Sequence, residues 1–141
     1  MLKKFFKKKK NENSNDKNLL IIALLIHAAK IDENYTENEK EIIRKVIMDL
    51  NKVRTDEANQ LLKLAEKKEE ESNQIIEFTK EIKKYSMEFK LKIVEIIWKI
   101  VYSDGTSDDY ESNLIRRICG LLYISDKDNG IIKAKVKNLL K

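Results

Sequence analysis

Apolar residues recur along most of this chain at intervals of three and four, the spacing of one face of an α-helix. Between residues 36 and 50 the apolar positions are Ile42, Ile43, Val46, Ile47 and Leu50. Residues 18–31 are instead apolar almost all round, which is typical of a helix buried at the centre of a bundle. The pattern therefore predicts surface helices packed around at least one central helix.

Polar residues mark where the predicted helices begin. Thr36 is followed three residues later by Glu39, and Asp108 is followed by Glu111. This is the spacing of a capping box, in which each side chain bonds a backbone N–H of the first turn. Seven helices are predicted, over about residues 18–31, 36–50, 55–68 and 73–84 and from about residues 86, 108 and 125. The run "KKEEES" after the third helix is expected to be a solvated end.

Composition supports a helical fold. The 141 residues include no proline and only three glycines, whereas hairpins and tight turns usually need one or the other. With 42% hydrophobic residues the chain can build one core of its own. We predict an all-α fold, with a basic N-terminal tail and linker at residues 1–17 and one helical domain at 18–141.

The net charge of +5 is concentrated in the tail. Six of the first ten residues are lysines, and subtracting their six charges leaves −1 for the rest of the chain. This distribution does not favour nucleic-acid binding by the domain. Lysines beside aromatic residues can instead lie on an anionic membrane surface. The candidate membrane-contact residues are Lys3, Lys4, Phe5, Phe6, Lys7 and Lys8. The alternatives are a disordered solubilising tail, or one whose Leu2 and Phe5 dock on the domain.

Two further features bear on location. Cys119 is the only cysteine, so no internal disulfide can form, which fits a reducing compartment such as the cytoplasm. Its place in a helical apolar pattern indicates a core residue rather than a nucleophile. The longest apolar run, residues 19–29, is shorter than the roughly 20 residues of a membrane span. We expect a cytoplasmic protein, with the tail able to hold it at the inner membrane face.

The chain contains an internal repeat at an offset of 72 residues. Each copy is a helical hairpin that cannot bury its own apolar faces, so two copies are expected to pack into one bundle. The matched polar positions are Asp32 with Asp104, Thr36 with Asp108, Glu39 with Glu111, and Arg44 with Arg116. The matched apolar positions are Leu25 with Ile97, Ile26 with Trp98, Ala29 with Val101, Ile43 with Ile115, Val46 with Ile118, Ile47 with Cys119, and Leu50 with Leu122.

The acidic loops of the two copies are candidate cation sites. Ca²⁺ and Mg²⁺ prefer oxygen ligands, several of them charged. The candidate metal ligands are Asp32, Glu39, Asp104, Asp108 and Glu111. The second loop does not follow EF-hand spacing, since Asp109 stands where glycine is required and Ile115 where glutamate is required. The alternative is that these acids only cap helices.

The sequence contains few of the residue patterns that catalysis requires. His27, the only histidine, lies on an apolar helix one turn before the first loop and is expected to be a buried or half-buried, hydrogen-bonded residue. A transition-metal site of His27 with Asp32 is conceivable, but a single histidine favours Ca²⁺ or Mg²⁺ over Zn²⁺. No catalytic triad and no phosphate-binding glycine loop is suggested. We expect the protein not to be an enzyme.

Two segments carry a resemblance to a known family. "AAKIDENYTENEKEIIRKVI" and "IIWKIVYSDGTSDDYESNLIRRICGLLYIS" are similar to the two copies of the TerB-like pattern. In the first copy Glu33 stands where that pattern prefers glycine. The resemblance covers about residues 18–140 and implies an all-helical, seven-helix fold found mostly in bacteria.

The resemblance also implies a function. TerB-like proteins are linked to tellurite resistance and stress responses, have no established enzymatic activity, and have been thought to bind metal through these acids. The chain is also similar to the N-terminal domain of membrane-anchored J-domain co-chaperones, although it has no His-Pro-Asp motif. We predict a stress-response module that binds a partner protein and a divalent ion. The alternative is a co-chaperone-like or membrane-associated interaction domain with no metal role.

Overall fold

The fold consists of seven helices in the part of the chain that the computed structural model describes, which is residues 18–31, 35–72, 74–103 and 109–139, without the side chains of 109–111. All regular structure in these ranges is helical, so the predicted all-α class is confirmed. The helices are α1 (18–29), α2 (Glu37–Asn51), α3 (Thr55–Glu71), α4 (Ile76–Ile82), α5 (Met87–Tyr102), α6 (Asp109–Leu121) and α7 (Asp126–Leu139).

Helices α1 and α5 supply half of the buried apolar residues among those that the structure describes. Six consecutive residues of α1, 21–26, have no exposed surface, as expected for a helix that is apolar on all sides. Helix α5 packs against α2, α6 and α7, and α2 packs against α3. The largest fully buried side chains are Trp98 on α5 and Phe78 on α4. The outer helices are therefore arranged around two central ones.

Three helix starts lie where the sequence predicts them. The Thr36 hydroxyl accepts a hydrogen bond from the Glu39 N–H, and the Ser86 hydroxyl accepts one from the Phe89 N–H, both at 3.2 Å. The Ser125 hydroxyl accepts from the Asp128 N–H at 3.1 Å. Each bond satisfies one of the N–H groups that a first turn leaves unpaired.

Other predicted bounds were wrong. Helix α4 covers Ile76–Ile82 rather than 73–84, and no side chain caps its first turn. It ends early because the chain turns after Ile82, whose carbonyl accepts from the Tyr85 N–H at 3.0 Å, before Ser86 caps α5. Helix α1 ends at residue 29 rather than 31, and α3 continues past the predicted residue 68 to Glu71.

The internal repeat extends further than its sequence signal. The matched pairs Leu25 with Ile97 and Ile43 with Ile115 are all fully buried. Helices α3 and α7 also correspond, but they begin at Thr55 and Asp126, an offset of 71. Two left-handed residues, Lys52 (φ 53°) and Tyr123 (φ 62°), precede these helices at the same offset. The molecule therefore has a first half, α1–α3, and a second half, α5–α7, joined by α4.

Candidate functional site

The predicted metal ligands lie mostly where the structure gives no description. Asp32, Asp104 and Asp108 are outside the described residues, and Glu111 lies in α6 without a described side chain. Within the described part of the chain, no three His, Cys, Asp or Glu side chains are grouped so as to hold a metal ion. The ion site of the two acidic loops stays a prediction.

The predicted membrane-contact residues also lie outside the part of the chain that the structure describes. Lys3, Lys4, Phe5, Phe6, Lys7 and Lys8 all lie in residues 1–17, outside the described ranges. Over the ranges that are described, no helix is both long and apolar enough to cross a bilayer. Contact of the tail with a membrane surface therefore also stays a prediction.

Glu39 is the one predicted ligand whose side chain is described. It is only 2% exposed, and its Oε1 accepts a hydrogen bond from the Thr36 N–H at 2.7 Å. Together with the bond from the Glu39 N–H to the Thr36 hydroxyl, this completes the capping box. The capping interpretation thus holds at Glu39, and an ion there would have to share its carboxylate with the helix start.

A buried ionic cluster joins α1 to α3. Glu69 is 8% exposed, and its Oε2 accepts from the Lys30 Nζ at 2.8 Å while its Oε1 lies 3.2 Å from the His27 Nδ1. His27 is half-buried and hydrogen-bonded, as predicted, with its ring 6.3 Å from that of Phe78. The expectation that "KKEEES" is wholly solvated was wrong at Glu69, because His27 of α1 and Lys30 just after it offset the cost of burying its charge.

The sequence contained a signal for Glu69. The inward residues of α3 are Ala58, Leu62 and Ala65, and Glu69 follows at the same helical spacing. Continuing that face by one more turn would have placed the carboxylate against α1.

The phenol of Tyr35 is a second polar group of the first half. Its hydroxyl oxygen is buried and has no hydrogen-bond partner among the described residues. Burial, and then the nearby Glu66 carboxylate, raise the pKa of Tyr35 above its usual value. The Lys40 ammonium lies 4.9 Å from the ring centroid. This side chain is therefore a neutral phenol at physiological pH.

A polar pocket of about 200 Å³ opens among α5, α6 and α7, and we call it the α5–α7 pocket. Its floor is Trp98, whose indole N–H donates to the Asn129 Oδ1 at 2.9 Å. The Lys133 ammonium lies 5.1 Å from the centre of the Trp98 ring. The walls come from Ser112 and Arg116 of α6 and from Asp126, Asn129 and Lys133 of α7. Trp98 is a core residue as predicted, but sequence reasoning missed Asn129 and Lys133 as its partners.

Cys119 lies in α6 and is fully buried. Burial, and then the Asp126 carboxylate, raise the pKa of its thiol to about 12. Since the thiolate is the reactive form of cysteine, Cys119 is not a nucleophile at neutral pH. This agrees with its interpretation as a core residue.

An apolar groove of about 240 Å³ lies between α2 and α5, and we call it the α2–α5 groove. Its exposed charged residues are Asp49 on α2 and Lys92 on α5. Its apolar lining consists of Val46, Leu50, Phe89, Ile93 and Ile96, of which all but Ile93 are half-buried. Partly exposed apolar side chains gathered in one concave surface are typical of a protein-contact site.

Comparison with known proteins agrees with the all-α fold. The model of the family described as "Tellurite resistance protein TerB" matches residues 18–134, which is most of the chain. No match was found among curated proteins or among solved structures. The matched segment includes both halves of the repeat, the α2–α5 groove and the α5–α7 pocket. The chain belongs to the TerB family of tellurite-resistance proteins.

Proposed function

We propose that this TerB-family protein acts in the stress response to tellurite by binding a partner protein, and not by catalysis. The family match over residues 18–134 supports the link to tellurite resistance. The single observation that carries the binding role is the α2–α5 groove, where four large apolar side chains are left half-buried at the surface. Covering them would remove apolar surface from water, the main favourable term in most protein association.

The groove suggests the chemistry of its partner. Its two walls are helices, and each carries an exposed charge of opposite sign, Asp49 and Lys92. An amphipathic helix places apolar side chains in such a groove and charged side chains along its edges. We therefore assign the groove to a partner helix with an apolar stripe flanked by both a basic and an acidic residue.

The test of this function is survival of cells exposed to tellurite. Cells lacking the protein are complemented with wild type, with Val46→Asp, or with the rim variant Asp49→Lys. Leu64→Asp is the matched control, because Leu64 is a 53% exposed apolar residue on α3. We expect both groove variants to lose the rescue and the control to keep it, with melting temperatures showing that all are folded.

Two results would contradict the proposal. Equal rescue by all variants would exclude the groove as the contact surface. Equal survival of cells with and without the wild-type protein would exclude the role in tellurite resistance.

Divalent-ion binding by Asp32, Glu39, Asp104, Asp108 and Glu111 is a separate part of the proposal. An ion that binds only the folded state raises the melting temperature. Chelator-treated protein is therefore melted with and without millimolar Ca²⁺ or Mg²⁺, alongside Asp104→Asn. An ion-dependent rise that the variant lacks would support the site. No rise in the wild type would favour the alternative, a co-chaperone-like interaction domain with no metal role.

Membrane association is tested on its own. We propose that the tail holds the cytoplasmic protein at the inner membrane face through its lysines and Phe5 and Phe6. Each lysine near an anionic surface contributes about 1 kcal/mol. Full-length protein should sediment with anionic but not neutral vesicles at low salt, and deletion of residues 1–10 should abolish this. If the full-length protein does not bind the anionic vesicles, the proposed membrane association is wrong.

A further inference from the structure

We infer that the α5–α7 pocket binds a small oxyanion, with Arg116 and Lys133 as its positively charged ligands. This site is distinct from the α2–α5 groove and from the acidic loops, and no residue of it is shared with the groove. The two halves of the repeat place an arginine at the same position in different surroundings.

In the first half, Arg44 is fully occupied by protein partners. Its guanidinium lies 2.8 Å from the Glu41 carboxylate and 3.6 Å from that of Glu37. Its Nε donates to the Asn59 Oδ1 at 2.8 Å. Two carboxylates and one amide oxygen thus surround this arginine, which leaves little capacity for a ligand.

In the second half, the matching positions lack most of those partners. Arg116 corresponds to Arg44, while Asn113 replaces Glu41 and Gly130 replaces Asn59. The counterpart of Glu37 is Asp109, whose side chain is outside the description. Among the described side chains, no carboxylate lies within 4 Å of the Arg116 guanidinium or the Lys133 ammonium. The pocket is lined by Arg116 and by Gly130, the positions that match Arg44 and Asn59.

The neutral side chains of the pocket also offer donors. An indole N–H can only donate, so the Asn129 oxygen must face Trp98. The Asn129 NH₂ group therefore points its donors elsewhere and has no partner among the described residues. Ser112 adds a hydroxyl. A guanidinium, an ammonium, an amide and a hydroxyl together match the acceptor oxygens of an oxyanion.

The net charge and the volume of the pocket limit the charge and the size of its ligand. Asp126 is the one carboxylate among the pocket's described lining residues, so with Arg116 and Lys133 the charged groups sum to +1. This balance favours an anion of low charge over a polyphosphate. A volume of about 200 Å³ accommodates an ion such as phosphate or tellurite with a few water molecules, but not a nucleotide-sized ligand.

Ligand binding can be measured by NMR through the indole N–H signal of Trp98. Because Trp98 is the only tryptophan and forms the floor of the pocket, its indole N–H gives one assigned NMR signal that reports on this site. Full-length protein is titrated with inorganic phosphate and, separately, with tellurite, at constant ionic strength. We expect a saturable shift of the indole signal with at least one of the two ions.

Three variants test the assignment. Arg116→Ala should weaken binding at least tenfold, because charge-assisted hydrogen bonds are the strong ones. Arg117→Ala is the matched control, since it removes the same charge from the neighbouring exposed position. Gly130→Asn restores the counterpart of Asn59, and a Cβ at Gly130 meets no atom within 4 Å. This variant should abolish binding without removing any charge.

The titrations with phosphate and tellurite distinguish the possible ligands. Saturation by phosphate and tellurite alike indicates a general oxyanion site, and saturation by tellurite alone makes the family's oxyanion its ligand. Shifts that do not saturate, or that Arg117→Ala weakens as much as Arg116→Ala, would overturn it. Because the tellurite-survival test depends on Val46 and Asp49, failure of one proposal leaves the other standing.

Discussion

The first and second halves of the molecule share a helical framework but differ in how polar groups at comparable positions are paired. In α1–α3, Glu69 binds Lys30 and His27, and Arg44 is held by two glutamates and an asparagine. In α5–α7, Asn129 binds only the Trp98 indole among the described groups, and Arg116 faces a pocket. The first half pairs these groups with protein partners, whereas the second half leaves donors of Asn129 and Arg116 directed at solvent.

This difference shows which positions a helical repeat must keep. Matched apolar positions such as Ile47 and Cys119 stay fully buried in both halves, because the core cannot lose them without a cavity. Polar positions are less constrained, since water or a ligand can replace a protein partner. The half with unmatched cations is therefore the better candidate for ligand binding.

The largest effect is expected at Glu69. Glu69→Ala leaves the Lys30 ammonium and the His27 ring without the carboxylate that they share, and should lower the free energy of unfolding by about 2–3 kcal/mol. The loss is smaller than for a fully buried pair because the Lys30 and His27 side chains are about one-third exposed. Urea unfolding at neutral pH measures it.

Glu95→Ala is the control from the second half, since Glu95 pairs with Lys99 and Lys135 nearer the surface. We expect it to lose less than about 1 kcal/mol. Equal losses of unfolding free energy for the two variants would show that the ion pairs of the two halves stabilise the protein equally.

Asn129 should show the next largest effect. Asn129→Ala installs the residue found at the matching α3 position, Ala58, but leaves the buried Trp98 N–H without an acceptor. An unsatisfied buried donor costs about 1–2 kcal/mol. In a Trp98→Phe background the same change should cost far less, which a double-mutant cycle in urea would measure. Additive losses would mean that the hydrogen bond contributes little.

The two matched arginines give a direct comparison. Arg44→Ala should destabilise the protein by about 0.5–1 kcal/mol, because it removes the surface ion pairs with Glu37 and Glu41 and the bond to Asn59. Arg116→Ala should leave the melting temperature nearly unchanged in buffer without oxyanions. Differential scanning calorimetry of both variants at low salt tests this, and a larger loss at Arg116 would place unrecognised partners around it.

The last effect concerns Cys119 and is confined to alkaline pH. Its pKa is about 12 in the folded protein and 9.0 for an unperturbed thiol. The unfolded chain therefore releases this proton first, so the contribution to stability is complete below pH 9 and is lost as pH rises toward 12. Cys119→Ala should flatten the fall of the unfolding free energy between pH 8 and pH 10.5, with Ile47→Ala as the matched control. An unchanged slope would assign the alkaline loss to other groups, such as Tyr35.

Local sequence signals predicted the helical fold well. Polar contacts between residues far apart in the chain could not be predicted from them. Apolar spacing and the caps at Thr36, Ser86 and Ser125 placed the starts of three helices, whereas α4 has no side-chain cap and its bounds were wrong. Glu69 and Asn129 escaped notice because each is satisfied by a residue more than thirty positions away. A polar residue on an inward face looks solvated until its partner is known.

The hydrogen bond between Asn18 and Asn51 has a practical consequence. At 2.7 Å it fixes the start of α1 beside the end of α2, one residue from Leu50 of the groove. A fluorophore attached at residue 18 would thus be held next to the end of α2. Residue 18 is therefore a suitable place for a donor dye that reports, by energy transfer, the arrival of a partner helix in the α2–α5 groove.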